Sequence, residues 1–305
     1  MAEDHNAERV KVVDVGGIQL AYESIGDRDR PPVLMIMGLA TQMLGWPDEF
    51  CVMLADEGHH VVRFDNRDVG LSTHLHGAPR VRATRLLLNA ASVAPYTLSD
   101  MAGDTVGLLD ALGLESAHVV GASMGGSIGQ TMAIEHPERV PSLTSIMSTT
   151  GNARVGRPTM KAMRALLARR PLERDAAIER VVANYRVIGS PGFEFDEVEL
   201  RQHAGLAFDR AYDPQGVMRQ LAAVWASGDR TPMLGAVRAP TLVLHGREDP
   251  LAPLRAGVAT AKAIPGSELV VFDGMGHDLP RALWPDFVGH IRTLVSKAEA
   301  ARVRG

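Results

Sequence analysis

The sequence predicts an α/β fold in which a mostly parallel sheet carries helices on both faces. Three observations predict it. Short apolar, β-branched runs alternate with stretches of helical periodicity up to residue 150 and again from 239 onward. Gly121-Ala122-Ser123-Met124-Gly125 is a Gly-x-Ser-x-Gly between a strand signal (Val119, Val120) and a helix signal, the pattern of a nucleophile elbow. From 151 to 232 the strand signals stop and only helical stripes remain. The expected organisation is therefore one α/β core, residues 1–150 and 233–305, with a helical cap inserted at 151–232.

Taken in order, Val10–Val15 and Ile18–Ile25 read as two strands turning at Gly16-Gly17. Val33–Met37 is a continuous apolar run, as for a strand covered on both faces, and it ends in the loop Gly38-Leu39-Ala40. A helix spans about 47–57, between Pro47 and Gly58. Val61, Val62 and Phe64 form a strand that enters the polar loop Asp65–Ser72. In 78–95, Arg80, Arg82 and Arg85 beside Leu86, Leu87 and Leu88 suggest a short amphipathic helix with one solvated face. Thr97 and Asp100 resemble a capping box for a helix running to Gly113. The elbow helix ends near His136-Pro137, and Leu143–Met147 is the next strand. In the insertion, helical stripes such as Ile178, Val181, Val182, Tyr185 and Ile188 are punctuated at 189–192 and 213–216. A strand at Thr241–Leu244, a helix at 252–264, a strand at Glu268–Phe272 and a terminal helix carrying Leu283, Phe287, Ile291, Leu294 and Val295 complete an eight-stranded sheet.

Composition narrows the function. A net charge of −4 provides no footprint for a polyanion, which disfavours nucleic acid as a partner. Cys51 is the one cysteine, so no internal disulfide can form, and its helical surroundings (Phe50, Leu54) mark it as core filler. The polar start MAEDHNAERV lacks the apolar stretch of a signal peptide, and no apolar run reaches the length of a membrane span. A cytoplasmic protein, monomeric or homodimeric, is the expectation.

A serine hydroxyl is a weak nucleophile and needs a base held by a third group. In sheets bearing this elbow the partners follow in the order serine, acid, histidine. The loop after Leu244 offers Glu248 and Asp249; Asp249 is preferred because Pro250 stiffens the chain beside it, with Glu248 as the alternative. Gly274-Met275-Gly276-His277 supplies the imidazole in a pliant loop. His245 precedes the acid and His290 lies within the last helix, so neither fits the order. The oxyanion of acyl transfer requires preorganised donors. The backbone N–H groups of Met124, after the nucleophile, and Leu39, after the third strand, are the candidates.

MGLATQMLGWPDEF (37–50), RFDNRDVGLST (63–73), GASMGGSIGQ (121–130) and FDGMGHDLP (272–280) resemble the α/β-hydrolase superfamily. Within it they are similar to the esterases related to aclacinomycin methylesterase and to actinobacterial carboxylesterases and lipases. The resemblance covers nearly the whole chain. It implies a cofactor-free, metal-free carboxylic ester hydrolase with Ser123, Asp249 and His277 as its triad and a small-molecule ester as substrate. One departure is Met37, at a position where many members carry histidine.

Rivals of the same fold remain. Haloalkane dehalogenases and epoxide hydrolases would want a carboxylate at position 123. A C–C bond hydrolase, a perhydrolase or a slow-turnover ligand receptor would keep the same three side chains. An interfacial lipase would use the cap as a lid, against which the 5% aromatic content weighs. Asp65, Asn66, Arg67 and Asp68 read as stabilisers of their own turn, and Trp46-Pro47-Asp48 as a structural corner. Tyr185, His203, Tyr212 and Trp225 either face substrate or pack the cap helices.

Overall fold

The computed structural model describes residues 9–302, so the polar segment 1–8 and residues 303–305 lie outside the described residues. Eight strands form one sheet: β1 (Lys11–Asp14), β2 (Gln19–Ile25), β3 (Pro32–Ile36), β4 (His60–Phe64), β5 (His118–Ala122), β6 (Leu143–Ile146), β7 (Thr241–Gly246) and β8 (Glu268–Phe272). Their spatial order is β1-β2-β4-β3-β5-β6-β7-β8. The β1–β2 and β2–β4 pairs are antiparallel and every other pair is parallel. The β1–β2 hairpin turns through Gly16 and Gly17, both at positive φ (75° and 99°), where a side chain would be strained.

The order reverses at β3. From it the chain steps to β4 on one side and, later, to β5 on the other. Open sheets leave a crevice at such a switch, beyond the strands' carboxyl ends. Here that crevice lies between the loop after β3, Gly38-Leu39, and the turn after β5, Ser123.

Alternation along β3 shows how the sheet is covered. Leu34 and Ile36 join one apolar cluster, Val33 and Met35 the opposite one. The first cluster takes Met101, Leu108 and Leu109 from α3 (Leu98–Ala111) and Ile128 and Met132 from α4 (Met124–Glu135). The second takes Phe50 and Leu54 from α1 (Asp48–Asp56) and Phe287, Ile291 and Val295 from α11 (Trp284–Arg302). Leu283, expected on that last helix, sits in the 3-10 turn just before it. Thr97 and Asp100 form both bonds of the capping box on α3. The Arg/Leu segment folds as α2 (Ala83–Leu88), with Leu86 buried and Arg80, Arg82 and Arg85 exposed.

Between β6 and β7 the regular elements of the described chain are helices: α5 (Met160–Leu167), α6 (Arg174–Ile188), α7 (Glu197–Arg210), α8 (Pro214–Ala226) and α9 (Thr231–Leu234). The punctuation expected across 213–216 is instead the start of α8. Asp213 caps that helix by accepting from Gln215 N, and Pro214 occupies a first-turn position that lacks a backbone partner anyway. α10 (Leu254–Ala263) then returns the chain to β8.

Candidate active site

Ser123 stands between β5 and α4 at φ 55°, ψ −115°, a conformation side chains seldom adopt. Its surroundings enforce it. A Cβ on Gly121 would come within 2.3 Å of Gly125 O, and one on Gly125 within 2.0 Å of Ile36 O. Only glycine lets the turn double back against β3. Ser123 N donates to Ile146 O (2.9 Å), and Ser148 Oγ donates to Ser123 O (2.7 Å), which fixes the turn from the β6 side.

The loop after β8 brings in His277. Its Nε2 lies 2.9 Å from Ser123 Oγ and its Nδ1 lies 2.7 Å from Asp249 Oδ2. Asp249, in the turn after β7, is buried, and its Oδ1 accepts from Leu251 N and Ala252 N (both 2.8 Å). A carboxylate cannot donate, so the Nδ1–H of His277 points to Asp249 and its Nε2 lone pair faces the serine hydroxyl. This tautomer can accept the Ser123 proton as the oxygen attacks an electrophilic carbon.

The other sequence candidates occupy different places. Glu248 is exposed, and its Oε2 accepts from Gly274 N (2.7 Å), bracing the His277 loop from outside. His245 is buried in β7 and donates from Nε2 to Ala252 O (2.7 Å); burial lowers its pKa, and the ring helps shape the Asp249 turn. His290 sits on α11 edge-on to Phe272 (6.3 Å). Cys51 is buried in α1, and burial pushes its thiol up to about 12, so it is chemically quiet.

Two backbone donors flank Ser123. Met124 opens α4, so its N–H has no intrahelical acceptor. Leu39 N–H makes no hydrogen bond among the described residues, whereas its neighbour Ala40 N donates to Gln220 Oε1 (3.0 Å). Gly38 lets the two loops approach: a Cβ there would lie 3.1 Å from Ser123 Cβ. Met37 is buried below this wall, and its carbonyl accepts from Asn66 Nδ2 (3.1 Å).

Sequence reasoning did not single out the contacts that hold the site from the helical side. Gln220 of α8 binds both Ala40 N and Arg67 O (2.8 Å). At the end of α6, Ile188 O accepts from His277 N (2.7 Å), and Gly192 N donates to Gly274 O (2.9 Å). Ser190 Oγ accepts from Gly276 N (2.8 Å) and donates to Asp278. Burial raises the Asp278 pKa, against the Ser190 hydroxyl and N–H. A lone Ser190 or Gln220 carries no pattern in one dimension, so no local signal marks either.

The polar loop after β4 does more than stabilise its own turn. Asp65 accepts from Met43 N and Leu71 N (2.7 and 2.9 Å) but also pairs with Arg210 (2.6 Å). Asp68 accepts from Leu75 N and pairs with Arg219 and Tyr96. The corner at Trp46-Pro47-Asp48 is structural: Trp46 stacks on Phe50 (5.8 Å), and Arg63 bonds both Trp46 O and Asp48. Of the four insertion residues, Tyr212 donates to Pro171 O (2.7 Å) and packs on Phe208, and Trp225 joins the α2–α8 cluster. His203 is exposed, and Tyr185 lies beside Asp278, half-buried.

The chain belongs to the α/β hydrolase fold family, whose model matches residues 31–280. It is a hydrolase of that family. Rhodomycin D methylesterase DauP of Streptomyces sp. (strain C5) is 31% identical over 287 residues, covering 87% of this chain and 91% of that protein. The 2-hydroxy-6-oxo-6-phenylhexa-2,4-dienoate hydrolase of Comamonas testosteroni is 26% identical and covers 88% of each chain. The same fold recurs in the enol-lactonase of Burkholderia xenovorans LB400, with a TM-score of 0.71, 23% identity and coverage of 94% of this chain and 100% of that one. Among the described residues no helix is long and apolar enough to cross a membrane.

Proposed function

We propose that this hydrolase is a serine carboxylesterase acting on small to medium esters through an acyl-enzyme. The observation that carries the reading is the hydrogen-bonded line from Asp249 through His277 to Ser123 Oγ. Ser123 attacks the ester carbonyl as His277 Nε2 takes its proton. Asp249 holds the imidazole and stabilises its charged form. The N–H groups of Leu39 and Met124 receive the oxyanion. His277 then protonates the departing alcohol, and a water activated by the same imidazole releases the acid.

The segment 151–232 acts in this reading as a cap that shapes the acyl and alcohol pockets. Support comes from its contacts on both sides of Ser123, through Gln220 to Ala40 and through Ile188 to His277. The similarity to a rhodomycin D methylesterase favours the methyl ester of a bulky acid as a substrate to try first.

A fluorophosphonate should label the protein at Ser123, and Ser123→Ala should abolish the label; persistent labelling would overturn the assignment. A panel of esters from C2 to C12, with a thioester and a bulky methyl ester, then locates the substrate class. The relative that hydrolyses a dienoate supports one alternative, C–C bond hydrolysis by the same three side chains. Faster turnover of a β-diketone than of any ester would favour it.

A further inference from the structure

The loop after β4 and the junction between α7 and α8 bring together three side chains that the reaction above does not use. These are His74, His76 and Asp213. Their ligand atoms, one from each residue, all lie within 4.8 Å of one another. His74 Nδ1 is 3.2 Å and His76 Nδ1 3.8 Å from Asp213 Oδ2. His76 N donates to His74 O (2.9 Å), a tight turn that stacks the two rings at 5.4 Å.

The hydrogen bonds of His74 fix which ring nitrogen faces the other two groups. Its Nε2 lies 2.9 Å from Gly70 O, a carbonyl that can only accept, so Nε2 carries the hydrogen. In the neutral ring Nδ1 is then a bare lone pair facing a carboxylate oxygen. Either a proton on Nδ1 or a metal ion can bridge that pair, and the second imidazole, His76, beside the same oxygen suits a metal ion. A histidine that donates one ring nitrogen to a backbone carbonyl and turns the other toward a carboxylate and a second histidine has the arrangement found around bound metals. Arg219 Nη2 binds Oδ2 (2.8 Å) and Gln215 N binds Oδ1 (2.9 Å), and Oδ2 is also the carboxylate oxygen nearest both histidine Nδ1 atoms.

We propose that His74 Nδ1, His76 Nδ1 and Asp213 Oδ2 form a binding site for a divalent transition metal, Zn²⁺ first among them, that clamps the helical insertion to the sheet. Two imidazoles and one carboxylate are a donor set such ions favour over Mg²⁺ or Ca²⁺. Ligands at ordinary Zn²⁺ distances stand roughly 3.3 Å apart around a tetrahedral ion, close to the separations from Asp213 here. Water would complete the coordination. The resemblance that suggested a metal-free protein concerns the reaction, and this site stands apart from it, joining the β4 loop to the start of α8.

The test uses the full chain, stripped with EDTA and titrated with ZnCl₂ by calorimetry. Wild type should bind one equivalent saturably. His76→Ala removes a ligand whose side chain is 76% exposed, so the fold stays intact. That variant should weaken binding by at least the roughly 10–100-fold seen on losing even an outer partner of a metal site. Zn²⁺ at about 100 times the wild-type Kd should raise the Tm of wild type clearly more than that of His76→Ala, with EDTA reversing the shift. No saturable binding, meaning that His74 and Asp213 share only a proton, would overturn the proposal. So would one equivalent bound equally well by His76→Ala.

Discussion

Arg219 of α8 grips Asp68 in the loop after β4 with two hydrogen bonds, 2.8 Å from Nε to Oδ2 and 2.6 Å from Nη2 to Oδ1, across 151 residues of chain. Both side chains are buried, and Tyr96 OH completes the carboxylate (2.7 Å). With Arg210 on Asp65, this pair ties the helical insertion to the sheet at the edge of the site.

Removing one partner leaves a buried charge uncompensated. Arg219→Met should destabilise the protein by about 3–5 kcal/mol, whereas the double change with Asp68→Asn should recover part of that loss. Urea unfolding of the three variants measures both. A loss in the double variant equal to the sum of the two single losses would show that the pair is not coupled.

Ser123, His277 and Asp249 should behave as one unit. Ser123→Ala and His277→Ala alone should each lower kcat about as much as the double variant does, since either one stops proton transfer to the base. Asp249→Asn should cost about 10⁴-fold, because an amide can present its N–H to Nδ1 and favour the wrong tautomer. Initial rates on an aryl ester provide the comparison; additive losses would argue against a shared step.

Ser190 is a positioning residue that acts through the His277 loop. Ser190→Ala frees Gly276 N and leaves Asp278 with the backbone N–H at 190 but without the hydroxyl. Loss of alignment at the imidazole should lower kcat by up to about 100-fold with little change in KM. A pH–rate profile should shift too, because the Asp278 carboxyl beside His277 loses the hydroxyl that opposes its raised pKa. A merely packing role for Ser190 would move Tm and leave kcat and the profile alone.

Four buried histidines set an acid limit on stability. Burial lowers the pKa of His59, His60, His118 and His245, and His118 falls to about 4. In the unfolded chain His118 titrates near 6.5. Between those values the unfolded state binds the extra proton. Its contribution to stability is therefore complete above pH ~6.5 and is lost as pH falls toward ~4. Tm should drop over that window, and His118→Gln should flatten part of the drop. An unchanged slope would remove His118 from the account.

Two glycines should respond in opposite directions. On exposed Gly103 in α3 a Cβ meets nothing within 4 Å, so Gly103→Ala should stabilise the fold by about 1 kcal/mol through helix propensity. On Gly125 a Cβ would sit 2.0 Å from Ile36 O, so Gly125→Ala must open the elbow and should lower both Tm and activity. Thermal melts of the two variants read the contrast directly.

Much of this was legible in one dimension because the signals were local. Thr97 and Asp100 announce a helix start three residues apart, and both capping bonds form. Gly121 and Gly125 announce a turn whose crowding only glycine tolerates. Runs such as Val33–Ile36, without polar relief, announce a strand covered on both faces. The limits were just as physical. Pro214 and Gly216 read as a break, yet the helix begins there, because a proline suits a first turn as well as a loop. Asp65 and Asp68 read as turn residues because their arginine partners are 145 and 151 positions away.

By itself the sequence determined the strand and helix order, the strained turn at Ser123, and the order in which an acid and a histidine must follow it. Periodicity, glycine sterics and chain order are properties of neighbouring residues, so no folding is needed to read them. The tertiary structure alone decided that β3 and β5 lie side by side, and so which loops meet at the crevice. It also decided that Glu248 braces the histidine loop while Asp249 bonds the ring, and that His74, His76 and Asp213 converge. Hydrogen bonds act over about 3 Å. Contacts between residues far apart in the chain therefore exist only once packing has brought their strands and helices together.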